Sequence, residues 1–358
     1  MNHVISRREF ATQLAKAALL SGSVPALAGE SASPRSKMGL VTYVFTAHQE
    51  AARTDKTMVD LSDPLSFLEE CHRLGAGGMQ FPVGVREKVY LSSLRQKAEQ
   101  YEMHVQAILG LPQNDAELGR FEQQVITAKN AGAAVARVTM LPGRRYEQFE
   151  TREDYQRACE QGLTSLRLAE PVAARHQVRM AVENHKDHLA AEKLEVLRQI
   201  SSEYVGLCVD VINNFALLED PLETARVLAP FALSVHLKDQ GIKECAEGFW
   251  LSDEPLGAGF LDLPALVAIL RQAKPQVPFY LEVITRDPIK VAVRAEKYWA
   301  TFPGRPRSAM EPMLKLAREK GPAKPQILVS QLPKAQQLAL ERRNIERSLD
   351  YARNKLGI

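Results

Sequence analysis

Cysteine is scarce in this 358-residue chain: Cys71, Cys159, Cys208 and Cys245 are too few and too scattered for a disulfide framework, and none sits in a CxxC metal knuckle. Cys208 lies inside an apolar run and reads as a small buried side chain. No charge of one sign prevails, because 46 Lys and Arg face 43 Asp and Glu, and long acidic or basic tails are missing. That balance leaves no electrostatic footprint for nucleic acid, whose binding needs many cationic contacts to phosphate. An uninterrupted apolar run of membrane-spanning length is also lacking. With 45% hydrophobic and 25% charged residues and a mean hydropathy of −0.22, the composition is that of a soluble globular protein, which excludes disorder, collagen and a multi-span membrane protein.

What is present begins at the N-terminus. Ser6-Arg7-Arg8-Glu9-Phe10, the weakly apolar stretch Leu14 to Leu27 and the small-x-small site Ala26-Leu27-Ala28 resemble a twin-arginine signal. The resemblance implies export of the folded protein through the twin-arginine machinery, a mature chain beginning near Gly29, and a periplasmic location with no membrane segment in the mature form. Residues 1–28 are thus read as signal and 29–37 as a polar linker. Without residues 1–28 the net charge falls to +1.

From residue 38 onward, short β-prone apolar runs alternate with segments of helical period. Strands are expected at Gly39–Phe45, Gly78–Val83, His104–Leu109, Val135–Leu141, Val178–Glu183, Val205–Val211, Leu233–Leu237 and Phe279–Ile284. Their Val, Ile and Leu content suits strands of a parallel sheet buried on both faces. Helix starts are legible at Asp63-Pro64, Thr151 and Asp262, and Gly75 closes the first of these helices. Eight strand–helix units predict an α/β fold, a (β/α)₈ TIM barrel over 38–305. A doubly wound open sheet is the rival, but no strand is followed by a Gly-rich phosphate turn; Gly257-Ala258-Gly259 follows a loop and reads as a turn. Residues 306–358 read as a C-terminal helical extension with helices Met310–Glu319 and Lys334–Leu356. The second aligns Leu338, Ile345, Leu349, Ala352 and Leu356 in one stripe that must pack on the barrel or on another subunit, so a homo-oligomer stays open.

Four consecutive expected strands, the fifth to the eighth, end in a residue of metal-ligand type: Glu183, Asp210, His236 and Glu282. Any one of them alone reads equally as a helix cap or a hydrogen-bonded core residue. As a set at the same place in four successive units, they would face one barrel mouth, where three buried carboxylates require a compensating cation. Three carboxylates and one imidazole without a thiolate favour a divalent ion, Mn²⁺ first, with Mg²⁺, Co²⁺ or Zn²⁺ possible.

These four residues, with the segments Glu183-Asn184-His185-Lys186-Asp187, His236-Leu237-Lys238-Asp239, Pro255-Leu256-Gly257-Ala258-Gly259 and Glu282-Val283-Ile284-Thr285-Arg286-Asp287-Pro288, resemble the xylose isomerase-like sugar isomerase/epimerase superfamily over Met38 to about Phe302. The resemblance implies one divalent ion held by the four residues, and catalysis of proton transfer by Glu183 and Glu282 flanking a sugar. A metal on the carbonyl and neighbouring hydroxyl of a hydroxy ketone stabilises an enediolate. Returning the proton gives an isomerase or epimerase of a keto sugar, the leading expectation. The same enediolate serves a lyase, by β-elimination of 3-keto glycosides or decarboxylation of a keto sugar acid, and a non-catalytic exported sugar-binding barrel is the third reading. DNA repair nucleases share the barrel but use a His-rich multi-zinc cluster, and here only His236 stands at a clear strand-end position.

Substrate contacts are expected from His185, Lys186 and Lys238 near the mouth, from Arg286 in the loop after the last strand, from Gln80, Gln106 and Arg137 on earlier strands, and from Phe249 or Trp250 stacking on a sugar ring. Lys238 with Arg286 would grip a carboxylate or phosphate, which points to an acidic sugar derivative. The competing readings are salt bridges from Lys238 to Asp239 or another neighbouring carboxylate and from Arg286 to Asp287. His188 reads as a cap or surface residue.

Overall fold

The structure, a computed structural model, describes residues 35–321 and 328–358. The signal assigned to residues 1–28 and most of the linker lie outside the described residues. Among the described residues, eleven strands follow in chain order: β1 (Gly39–Val41), β2 (Gly78–Pro82), β3 (His104–Ile108), β4 (Val135–Val138), β5 (Arg179–Glu183), β6 (Val205–Asp210), β7 (Ala232–Leu237), β8 (Asp239–Cys245), β9 (Gly248–Glu254), β10 (Phe279–Leu281) and β11 (Ile289–Val291). Eight of them close a parallel barrel in the order β1-β10-β7-β6-β5-β4-β3-β2, and each expected strand run supplies one. The first ends early, at Val41, where the chain coils into a 3-10 turn over Thr42–Phe45. The last pairs over Phe279–Leu281, and Glu282 N still donates to Leu237 O (3.1 Å), so Glu282 keeps the strand's direction. Helices opened by Asp63, Thr151 and Asp262 cover the barrel, and each of these side chains accepts a first-turn N–H.

The floor of the barrel is plugged by two rings. A β-carbon on Gly78 would lie 2.4 Å from the His104 imidazole and one on Gly39 would lie 2.6 Å from the Tyr280 ring, so two glycines make the room. His104 and Tyr280 then meet edge to face, centroids 5.0 Å apart. Burial pushes the His104 imidazole down to about 4, and it is neutral at pH 7. The unfolded chain holds this proton more tightly (ordinary value about 6.5), so His104's stabilising contribution is present above pH 6.5 and lost as pH falls through the window from 6.5 to 4. We expect a loss of about 3 kcal/mol across it, absent in His104→Phe; denaturant melts of both metal-free proteins at pH 7.5 and 4.5 check the difference.

The C-terminal extension packs on the barrel: the helix Lys334–Tyr351 lies against the helix Thr46–Thr54 that follows β1, and its continuation Ala352–Leu356 lies against the helix Leu263–Ala273 that precedes β10, so together they fill the place of the barrel's eighth helix. The Glu341 carboxylate accepts from Ala47 N (2.6 Å) and His48 N (3.0 Å), and Ser348 Oγ accepts from Leu256 N (3.1 Å). The chain end returns to the floor, where Ser36 Oγ donates to Ile358 O (2.8 Å). Ile345, Leu349, Ala352 and Leu356 are buried, so the stripe packs on the barrel, within a compact unit that runs from Arg35 to Ile358.

Between β7 and the helix Leu263–Ala273, β8 and β9 form a hairpin that β11 extends to a three-stranded antiparallel sheet. β8 and β9 occupy the stretch before Gly257 that the sequence suggested was a loop. The sheet's buried face carries Ile242, Phe249 and Leu251; Trp250 stands on the other face, cross-strand from Lys243 and Lys290.

Candidate metal centre

Glu183 and Asp210 are the last residues of β5 and β6, His236 is the penultimate residue of β7 in register with Asp210, and Glu282 follows β10. Since β5, β6, β7 and β10 are consecutive around the barrel, the four expected ligands converge. Each is buried and offers a ligand atom, and these atoms lie within 4.8 Å of one another.

The details fit a cation. His236 Nδ1 is buried without a hydrogen-bond partner, 3.6 Å from Glu183 Oε1 and 3.7 Å from Glu282 Oε1. Its other nitrogen, Nε2, lies 2.8 Å from Gln80 Oε1; Gln80 Nε2 donates to Gln106 Oε1 (2.8 Å) and Gln106 Nε2 donates to Ser234 Oγ (2.9 Å). With the Gln80 amide so assigned, its oxygen accepts from His236 Nε2–H, which leaves Nδ1 facing the carboxylates. Against burial, Cys208, Glu282 and Glu183 hold the metal-free imidazole well above its ordinary pKa, so Nδ1 carries a proton there that a metal would replace while Nε2–H keeps its acceptor. Asp210 Oδ1 accepts from Ile212 N (3.0 Å) and Asn213 N (2.8 Å), which fixes the carboxylate with Oδ2 facing the cluster. Gln80→Met removes the acceptor that selects the tautomer; metal affinity should fall about 10–100-fold, measured by competition with a chelating dye, and an unchanged affinity would refute the relay.

Two cations hold the glutamates. Glu183 Oε2 accepts from Arg137 Nε (2.5 Å) and pairs closely with Arg137 Nη2, while Oε1 accepts from Asn213 Nδ2 (3.1 Å). Lys238 Nζ bridges Asp210 Oδ2 (2.8 Å) and Glu282 Oε2 (2.6 Å). Burial alone would raise all three carboxylates. It does raise Asp210, but Arg137 and His236 hold Glu183 well below the usual range, and Lys238 and His236 hold Glu282 down at about 2.

The other expected residues divide. His185, just beyond β5, joins the chamber with a buried Nδ1 that has no partner, and burial lowers its pKa. Lys186 is buried, and Lys238 and Arg286 are close enough to bear on its charge. Arg286 pairs with the buried Asp253 (2.8 Å) instead of Asp287, whose carboxylate accepts from Ser330 N and Oγ. Gln80, Gln106 and Arg137 do not offer themselves to a sugar: they are buried in the relay and the Glu183 clamp. Trp250 is not brought to the cluster; its ring lies 5.7 Å from Lys290 Nζ, and Phe249 packs on Phe215. Lys238 does not pair with Asp239, which instead gathers the N–H groups of Gln240, Gly257, Gly259 and Leu261. His188 is neither cap nor surface but buried beside Asp187 and Lys193. Asn213 and Asp253 were missed. Asn213, three residues past Asp210, could have been suspected from that spacing; Asp253 lies in the unrecognised hairpin and gave no signal.

Comparison with known proteins agrees with the barrel. The family profile described as Xylose isomerase-like TIM barrel matches residues 68–301. A 3-oxo-isoapionate decarboxylase of Pectobacterium atrosepticum is 30% identical over 114 residues, 31% of this chain and 42% of the decarboxylase, so the match spans less than half of that relative. Among solved structures, an L-ribulose 3-epimerase superposes with a TM-score of 0.51 at 16% identity, covering 89% of this chain and 96% of its own. The IOLI protein with a bound zinc atom gives 0.51 at 16%, covering 79% and 95%. At these identities the structural likeness speaks to the fold.

Proposed function

Because this chain belongs to the xylose isomerase-like TIM barrel family, we propose that it is an enzyme forming an enediolate from a keto sugar derivative, with one divalent ion, Mn²⁺ first, held by Glu183, Asp210, His236 and Glu282, and that the enediolate arises by loss of a carboxylate as CO₂. When bound, the ion supplies positive charge to the carbonyl and hydroxyl oxygens on which negative charge develops. The observation that carries the choice of reaction is the pairing of both glutamates with cations, Arg137 on Glu183 and Lys238 on Glu282. An isomerase needs one of these carboxylates to remove a C–H proton, and a carboxylate held by a cation is the weaker base for that step. Decarboxylation needs no such base, because the electron pair comes from the breaking C–C bond. It needs instead positive charge for an anionic substrate, and Lys186, whose hydrogen-bond partner is the neutral Asn213 amide, is the buried cation placed to offer it. The partial match to a decarboxylase supports the same reading. Export by the twin-arginine route, supported by residues 6–28, belongs to the proposal and places the substrate in the periplasm.

Isomerisation or epimerisation is the second reading, favoured by one feature: the Oε1 atoms of Glu183 and Glu282 both lie near His236 Nδ1, as a pair relaying a proton would. Mn²⁺-loaded protein in D₂O, offered 3-oxo-isoapionate and L-ribulose and followed by NMR, separates the two. We expect CO₂ from the acid and unchanged L-ribulose. Epimerised, deuterated L-ribulose without CO₂ release would establish the second reading.

A further inference from the structure

Three lysines, Lys186, Lys193 and Lys238, are buried in or beside the chamber. Lys193 donates to Asp187 Oδ2 (2.9 Å), and Lys238 bridges Asp210 and Glu282. Among the described residues, the hydrogen-bond partner of Lys186 Nζ is Asn213 Oδ1, a neutral amide oxygen. Asn213 is oriented by its other end, which donates to Glu183 Oε1. An amide oxygen accepts from –NH₃⁺ and from –NH₂ alike, so this contact does not fix the charge as a carboxylate would.

The backbone holds Lys186 in place at some cost. Its φ of +62° is left-handed, a conformation a side chain bearing a β-carbon seldom adopts and one found where a site demands it. The turn is tied from several sides: Lys186 O accepts from Arg145 N (3.0 Å), and Asp187 Oδ1 accepts from His185 N (3.0 Å) and His188 N (2.8 Å) while Lys193 secures its other oxygen.

We propose that Lys186 is the proton donor that quenches the enediolate, a role that rests on the decarboxylation reading above. Once CO₂ has left, the carbon that carried it takes a proton from Lys186 Nζ: the enediolate's electron pair forms the C–H bond, an N–H bond breaks, and the neutral amine regains a proton from water. The surrounding charges suit the task. Burial, then Lys238 between β7 and β8 and Arg286 after β10, push the amine down against Asp210 on β6 and Asp253 on β9, to about 7. Both forms are therefore populated near neutrality, the condition under which a proton donor works best.

The test begins without substrate. In Mg²⁺-loaded protein carrying ¹³Cε-lysine, one resonance should titrate with a midpoint near pH 7 and be missing from Lys186→Met, while ordinary lysines titrate near 10.5. Lys186→Arg, which keeps a cation at the position, assigns the resonance if the methionine variant does not fold. With 3-oxo-isoapionate in D₂O, either variant should lose about 10²-fold or more in kcat with KM little changed, and the limb of the pH profile near 7 should vanish. A Lys186 midpoint above 9, or variants with the wild-type kcat and pH profile, would overturn the donor while CO₂ release stands. Wild-type protein that epimerises L-ribulose and releases no CO₂ would overturn the decarboxylation reading and the donor step with it.

Discussion

Replacing Arg137 with methionine is expected to lower the stability of the metal-free protein by about 3–5 kcal/mol, the usual consequence of stranding one partner of a buried ion pair. Glu183 is fully buried, and without Arg137 its carboxylate keeps the Asn213 amide at 3.1 Å and the His236 imidazole at 3.6 Å. Most of the loss should be recovered in Arg137→Met/Glu183→Gln, because removing both charges leaves neither unpaired. Divalent cation should also restore stability to the single variant, since it binds the folded chain alone and replaces the missing positive charge. Urea unfolding of the three proteins, with and without Mn²⁺, measures all of this. A penalty under 1 kcal/mol would mean that the pair is not what compensates Glu183.

The second large effect is expected from Asp210→Asn. The variant keeps a side-chain oxygen for Ile212 N and Asn213 N, so the local turn survives, and Lys238 still has Glu282. What it loses is one of the three carboxylates proposed to hold the metal. Metal affinity should drop by more than about 100-fold, beyond what loss of an outer partner costs, and turnover should fall at least about 10³-fold, equivalent to the several kcal/mol a metal supplies to developing oxyanion charge. Calorimetric metal titration together with turnover checks both. His236→Ala should behave alike, whereas Gln80→Met should weaken binding without abolishing it. Retained affinity in Asp210→Asn would remove Asp210 from the ligand set.

The barrel and the convergence of Glu183, Asp210, His236 and Glu282 were legible because strands buried on both faces read as apolar runs, and a single charged or imidazole group closing such a run stands out. The position repeats in Val182-Glu183, Val209-Asp210, Val235-His236 and Leu281-Glu282. Neighbours of the ligands were harder to assign. Alternation says that Gln80, Gln106 and Arg137 point inward, not at what height; barrel closure sets them beneath the ligands, where they orient His236 and Glu183 instead of reaching a sugar. The hairpin of β8 and β9 carries a period-two pattern, with Ile242, Phe249 and Leu251 inward, but Lys243, Glu244, Asp253 and Glu254 and the absence of an Asn-Gly turn gave it the composition of a loop. The helix Lys334–Tyr351 was legible but its place as the eighth was not, because β11, the helices Glu296–Trp299 and Glu311–Lys320 and two 3-10 turns separate it from β10, so its apolar stripe announced packing without naming the partner.

The most direct measurement is an anomalous difference map from crystals grown with Mn²⁺. One peak bounded by Glu183, Asp210, His236 Nδ1 and Glu282, with Lys238 drawn away from Asp210, is the predicted result. A chamber with no peak, in which Lys238 still bridges Asp210 and Glu282 at saturating Mn²⁺, would contradict the account, because the lysine would then be the site's permanent cation and the enediolate would have no metal to stabilise it.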